Sequence, residues 1–266
     1  MEKKYGVDIK WLAVSCFEMK FGNTTVVTDP YITECIGTEL DYTAVEKCDI
    51  ITLSHAHFDH ITDIPRLTNK FKDVKILCGE KTMYPLSEWL NYNPSLMYPM
   101  YPDTELDFGD VKIRALYGRH ANQAHANDKP GINDQDQRIR AYPECVADQK
   151  IADMQRLGSL EYRNYLYTLP NGVKVLFFGN DALPELTNIC KQYKPEIAII
   201  QRAGQNFAKA KAMFAKEIGC EVYIPHHHDF KCVDSPSLCE NLKNAYLEIV
   251  PDGTFITPKH GEWIKL

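Results

Sequence analysis

Ile50-Ile51-Thr52-Leu53-Ser54-His55-Ala56-His57-Phe58-Asp59-His60 sets an apolar run directly before four metal-binding side chains packed into six positions. The run reads as a buried strand, so His55, His57 and Asp59 leave its end at period 2 and project to one side, while His60 turns inward at the start of a helix. Residues i and i+2 of an extended chain lie roughly 7 Å apart, which lets two imidazoles converge on one ion while the next carboxylate and imidazole reach a second. A structural zinc site closes four ligands around one ion and leans on Cys. His and Asp donors in this number suit an open, catalytic arrangement, and two adjacent divalent ions are expected.

Outward from this stretch, strand patterns run over 9–14, 16–21, 24–28, 50–54, 75–79 and 111–117, with helical spacing of apolar residues over 61–72 and 81–90. The second half repeats the style. Strands at 163–168, 173–178, 196–201 and 221–225 alternate with helices at 183–192, 206–218 and 236–247, and strands at 254–257 and 262–265 follow. Both halves are strand-rich first and mixed later, which fits an α/β protein of two face-to-face sheets covered by helices, without a repeat visible in the sequence itself. Residues 121–158 break the pattern: polar, mixed in charge and poor in aliphatics, they predict an irregular, lid-like insertion beside the metals, within one domain spanning 1–266.

With 266 residues, 44% of them hydrophobic, the chain can bury a sizeable core. A formal charge of −6 provides no broad basic surface, so nucleic acid is not an expected partner and an anionic membrane is not an expected docking surface. The first segment, MEKKYGVDIKWLAVSCF, is too short and too interrupted by charge for a signal peptide, and no run approaches the length of a membrane span. Nine scattered cysteines with no C-x-x-C pair read as reduced thiols, and the expected location is the cytoplasm. Homo-oligomerisation is left open by the sequence.

A two-metal site needs further donors at strand ends on the same edge. His120 follows the strand 111–117 through Gly118-Arg119, Asp181 follows Val175-Leu176-Phe177-Phe178-Gly179-Asn180, and His226-His227-His228 follows Glu221-Val222-Tyr223-Ile224-Pro225. The middle imidazole, His227, is the preferred donor of the last group, with His226 and His228 as alternatives; His125 is an alternative to His120.

The set His55, His57, Asp59, His60, His120, Asp181 and His227 resembles the ligand pattern of the metallo-β-lactamase-fold superfamily of metal-dependent hydrolases, across nearly the whole chain. Trp11-Leu12-Ala13-Val14-Ser15-Cys16-Phe17 followed by Thr28-Asp29-Pro30 is similar to the branch that includes ascorbate-6-phosphate lactonase-like proteins. The resemblance implies a four-layer αββα sandwich. It also implies that His55, His57 and His120 hold one ion, that Asp59, His60 and His227 hold the other, that Asp181 bridges them, and that Asp29 orients the site from behind the ligands. Asp181 stands where some β-lactam-cleaving members carry Cys, which argues against antibiotic hydrolysis. A flavodiiron oxidoreductase would need Glu in place of His57 and an attached flavin domain.

Two divalent ions, zinc or manganese first and iron as a further option, would share a water and lower its pKa to about 7, so that a bridging hydroxide attacks without a separate base. Two dications less Asp59, Asp181 and hydroxide leave roughly one positive charge, favouring a small anionic metabolite: an ester, a lactone or a phosphoester. Asp59 is counted as both ligand and catalytic group, and His228 as the proton donor to the leaving group. Arg119 and Arg202 are the leading candidates for binding an anionic substrate, with Arg138 and Arg140 behind them. Two other functions compete: a phosphodiesterase or nuclease, which would need a basic track into the site, and a metal-binding protein without turnover.

Overall fold

The computed structural model describes residues 4–119, 149–158, 160–202, 208–229 and 236–266. The first sheet opens with three strands joined by short turns, β1 (Val7–Ala13), β2 (Cys16–Phe21) and β3 (Thr24–Thr28). It continues in parallel with β4 (Ile50–Thr52), β5 (Lys75–Cys78) and β6 (Met97–Pro99). Helices α1 (Phe58–Ile61), α2 (Ile64–Lys70) and α3 (Glu80–Leu90) lie between these parallel strands in the chain. The second sheet repeats the scheme. β7 (Glu105–Asp107), β8 (Lys112–Gly118), β9 (Tyr162–Thr168) and β10 (Lys174–Phe178) pair antiparallel, and β11 (Ile197–Gln201), β12 (Val222–His226) and β13 (Thr254–Phe255) then add in parallel. Helix α4 (Gln149–Gly158) precedes β9, while α5 (Pro184–Lys191), α6 (Ala208–Ile218) and α7 (Pro236–Ile249) precede β11, β12 and β13. The last strand, β14 (Trp263–Lys265), returns to the first sheet and pairs antiparallel with β1, giving the orders β14-β1-β2-β3-β4-β5-β6 and β13-β12-β11-β10-β9-β8-β7.

The strands alternate apolar residues on both faces, and this builds the layers. Val7, Ile9, Phe17, Met19, Val175, Phe177, Ile197 and Ile199 fill the space between the sheets. Leu12, Val27, Ile51 and Ile76 point the other way, under Ile61, Ile64, Leu67 and Leu86 of the first helices. Leu176, Phe178, Ala198, Ile200 and Tyr223 meet Leu186, Phe214, Ile218 and Tyr246 of the last ones. The result is helix, sheet, sheet, helix: the αββα sandwich of the metallo-β-lactamase fold.

The strands predicted at 16–21 and 24–28 stand at those residues, and the other predicted strands lie within two residues of the observed ones. Three expectations change. The single helix over 61–72 is two, α1 and α2, separated at Thr62-Asp63, where the Asp63 carboxylate accepts from Ile32 N (2.6 Å), Thr33 N (2.8 Å) and Thr33 Oγ (2.7 Å). The irregular insertion does not extend to residue 158: 149–158 form α4, whose Ile151 and Met154 are buried in the core under the first sheet. Strands β6 and β7 were not foreseen, being three residues each, with Pro99 ending β6 and Pro102 lying between the two. The rest of the insertion, 121–148, lies outside the described residues, as do His120 and His125. Among the described residues no helix is long and apolar enough to cross a membrane.

Candidate metal centre

The parallel strands of both sheets end at one edge, and the chemistry collects there, as is usual outside the carboxyl ends of strands in α/β sheets. Beyond β4, Leu53 N donates to Leu77 O (2.8 Å) and Ser54 N to the carboxylate of Asp29 (2.7 Å), so the chain is still held when it reaches His55. His57 then stands directly before α1, and Asp59 and His60 occupy its first turn. All four are buried.

Asp59, His60 and His227 offer donor atoms that lie within 4.8 Å of one another. Asp59 Oδ2 is 3.6 Å from His60 Nε2 and 3.3 Å from His227 Nε2. Donors bound about 2.0–2.2 Å from a tetrahedral ion are roughly 3.3–3.6 Å from each other, so this spacing fits a shared cation better than direct hydrogen bonds. The far nitrogen of His60 reinforces that reading: Nδ1 donates to Asp29 Oδ2 at 2.8 Å, which fixes the tautomer and leaves Nε2 as a lone pair turned to Asp59. Asp29, wholly buried at φ +38°, also accepts from Ser54 Oγ (2.6 Å).

His55 and His57 adjoin this triad. The His55 ring lies 4.1 Å from that of His60 and 4.6 Å from that of Tyr162, and its Nδ1 is 2.9 Å from Ser54 Oγ. Its Nε2 is 2.9 Å from His57 Nδ1, a hydrogen-bond separation. Asp181, half-buried past the end of β10, does not join Asp59, His60 and His227 within the 4.8 Å group. Its own turn is tied down by its neighbour. Asn180 Nδ2 donates to Arg119 O (2.7 Å), Asn180 Oδ1 accepts from Asn164 Nδ2 (2.7 Å) and Arg119 N (3.3 Å), and Asn164 Oδ1 accepts from Gly179 N (3.0 Å). The backbone of Arg119 and the Gly179-Asn180 turn before Asp181 are thus stapled by one amide pair. Behind them the buried Lys211 ammonium donates to Asn180 O; burial pushes its pKa down to about 8 against the partial support of Asp181.

Of the three consecutive histidines, the middle one faces Asp59. His226 is a core residue: Nε2 donates to Phe178 O (3.1 Å) and Nδ1 pairs with Ser15 Oγ (3.1 Å). His227 adopts φ +60°, a left-handed conformation held from outside by Val14, whose carbonyl accepts from His227 N at 2.8 Å. Val14 is itself left-handed at φ +46°, and its N–H donates to both oxygens of the Asp229 carboxylate at 3.0 Å. His228 stacks on Trp11, centroids 4.4 Å apart. Burial pushes its pKa down to about 4 against the opposing pull of the Asp229 carboxylate.

Arg119 directs a guanidinium nitrogen to Glu185 (3.9 Å) at the rim. Arg202 follows β11, its N–H donating to His226 O (2.9 Å), and its charge bears on His228. Arg138, Arg140 and Cys232 lie outside the described residues, and Cys239, on α7, is buried near Tyr223. Ser54, Gly158, Tyr162, Asn164, Asn180, Asp229 and His260 escaped the reading of the sequence. Only Ser54, beside His55, carried a local signal.

A family profile described as beta-lactamase superfamily domain matches residues 8–136. The chain is 33% identical over 251 residues to the UPF0173 metal-dependent hydrolase lin1612 of Listeria innocua, covering 88% of this chain and 94% of that one. A match to the UPF0173 protein PYRAB01190 of Pyrococcus abyssi, 29% identical, covers 42% of this chain and spans about half (49%) of that relative. Among solved structures, the metallo-beta-lactamase fold protein YhfI of Bacillus subtilis superposes with a TM-score of 0.65 at 15% identity, over 97% of this chain and 98% of that one.

Proposed function

Because the chain belongs to the UPF0173 family of metal-dependent hydrolases, we propose that it hydrolyses a small anionic ester, lactone or phosphoester with two divalent ions, zinc or manganese. The observation that supports this best is the spacing of Asp59, His60 and His227, whose donors stand as ligands of one ion would. His55 and His57, with His120, would hold the second ion, and Asp181 would be a further carboxylate donor. When bound, the ions polarise the scissile oxygen and make a water acidic enough to attack near neutral pH. The protein's own share is orientation. Asp29 keeps Nδ1 of His60 protonated, Ser54 does the same for His55 through its hydroxyl, and Asn180 with Asn164 sets the two later strand ends relative to each other. Arg202 and Arg119 are the charges available at the rim for an anionic substrate. The buried free thiols among the described residues suit a reducing, cytoplasmic setting.

The test is metal content by elemental analysis together with hydrolysis of a panel of δ-valerolactone, p-nitrophenyl acetate and bis-p-nitrophenyl phosphate. Two ions per chain, and turnover of at least one substrate that chelation removes and zinc or manganese restores, are expected. Turnover indifferent to chelation, or a chain that retains no ion, overturns the proposal.

A further inference from the structure

His260 lies 33 residues beyond His227 in the chain, yet it stands beside the same turn. Its Nε2 is 2.9 Å from Asp229 Oδ2, and its ring lies flat on Trp11, centroids 4.0 Å apart and planes 23° from parallel. Trp11 is therefore clasped between His260 on one side and His228 on the other. Each part of this column is fixed independently. Trp11 Nε1 donates to Val14 O (3.1 Å), Gly261 N donates to Trp11 O (2.8 Å), and the Asp229 carboxylate holds Val14 N. A packed imidazole–indole stack would need no buried carboxylate, so this Asp–His pair looks built to fix the ring's orientation and tautomer.

The ring also has an open side. His260 is a quarter exposed and, with residues 36–40, walls a cavity of about 520 Å³. That loop rests on the metal-side turn: a Cβ on Gly37 would stand 2.1 Å from the Asp229 carbonyl oxygen, so the close approach requires glycine. In the tautomer that gives Nε2–H to Asp229, Nδ1 is an acceptor, and among the described residues no partner takes it. The other polar side chains of the wall are the Glu39 carboxylate, also an acceptor, and the Thr38 hydroxyl. The wall is therefore rich in acceptors, and its complement is a hydrogen-bond donor.

We propose that the cavity walled by residues 36–40 and His260 is a recognition subsite of the adjoining metal centre, in which His260, oriented by Asp229, accepts a hydrogen bond from a hydroxyl or amine of the substrate. The subsite rests on the hydrolase reading for its partner site and extends it by naming a substrate class: a molecule carrying its scissile ester or lactone at one end and donor groups at the other. A bare ester engages the metals alone. A hydroxylated one is also held at His260, which lowers its KM.

The experiment compares two probes that differ in hydroxyl groups, D-glucono-δ-lactone and δ-valerolactone, on the metal-loaded full chain and its His260→Ala and Glu39→Gln variants. The corresponding products, D-gluconate and 5-hydroxypentanoate, serve in a binding arm read by saturation-transfer NMR, which needs no turnover. The wild type is expected to prefer the more hydroxylated member of each pair. His260→Ala is expected to lose about tenfold of that preference through KM or binding strength with the metal content unchanged, and Glu39→Gln to lose a smaller part. No preference in the wild type, or an unchanged preference in His260→Ala, overturns the subsite. So does an equal loss on both probes accompanied by loss of metal, since His260 would then only brace the His227 turn. Hydroxyl preference in binding that depends on His260, without hydrolysis of either lactone, would uphold the subsite and sink the lactone reading instead.

Discussion

Asp29 holds the proton on Nδ1 of His60 and anchors Ser54 by both its N–H and its hydroxyl, so one buried carboxylate serves two of the histidines that would carry metal. Replacing it with alanine leaves a buried N–H and an imidazole N–H without acceptors, each worth about 1–3 kcal/mol. Asp29→Ala should weaken metal binding by about 10–100-fold, measured by competition with a chromogenic chelator. An affinity within twofold of the wild type would show that the carboxylate is only a fold element. His228 makes a different prediction. In the fold its pKa is about 4, whereas the unfolded chain takes up that proton near 6.5. The unfolded state therefore binds the proton first, and stability present above pH 6.5 is lost as pH falls from 6.5 toward 4, by about 3 kcal/mol. The buried His226 shifts in the same direction. Urea midpoints of the chelator-treated protein should drop between pH 7 and pH 4.5, and His228→Gln should recover part of that drop.

At the scale of elements, α4 matters beyond its share of the core. Its last residue, Gly158, packs so closely on the ligand loop that a Cβ there would stand 2.3 Å from His57 Cδ2 and 2.9 Å from His57 N and Ala56 C. Two of those three atoms are backbone, so the helix end or the loop would have to move. Gly158→Ala should cost about 1–3 kcal/mol by thermal or urea unfolding and lower metal occupancy, even though alanine is the better helix former. A stability gain would mean that the loop yields freely. This helix also shows where reading the sequence fell short. Ile151 and Met154 sit in a stretch otherwise so polar that the whole of 121–158 reads as excursion, and only their burial against the α1–α3 layer makes 149–158 a helix. The strands that were legible carry apolar residues on both faces. β6 and β7, at the outer edges of their sheets, are too short to show a period.

Over the whole molecule, the site joins two sheets that the chain builds separately: Asp59 and His60 follow β4 in the first, His227 follows β12 in the second. An ion held by all three ties the sheets together and binds only the folded state. At a free concentration a hundred times its Kd it should add about 2.7 kcal/mol, raising Tm by roughly 5 °C in calorimetry, with Asp59→Asn abolishing the increase. The Asp59-His60 half of this arrangement was legible because its donors are neighbours in sequence. His227 was narrowed to a run of three, and the choice among them is made by tertiary contacts: two nitrogens spent in the core for His226, a stack on Trp11 for His228. Asp229 and His260 could not be seen in advance, since each works through Trp11 and Val14, more than 200 residues away.

The pairing of β14 with β1 also sets an order of events during synthesis. β1 leaves the ribosome roughly 250 residues ahead of the neighbour for its outer edge, so the nascent first sheet waits with a row of unclaimed peptide groups while the chain between them is made. Such an edge can be captured by a second chain. A messenger truncated just before codon 262 should therefore yield protein that aggregates on release, although every proposed metal ligand would already be in place.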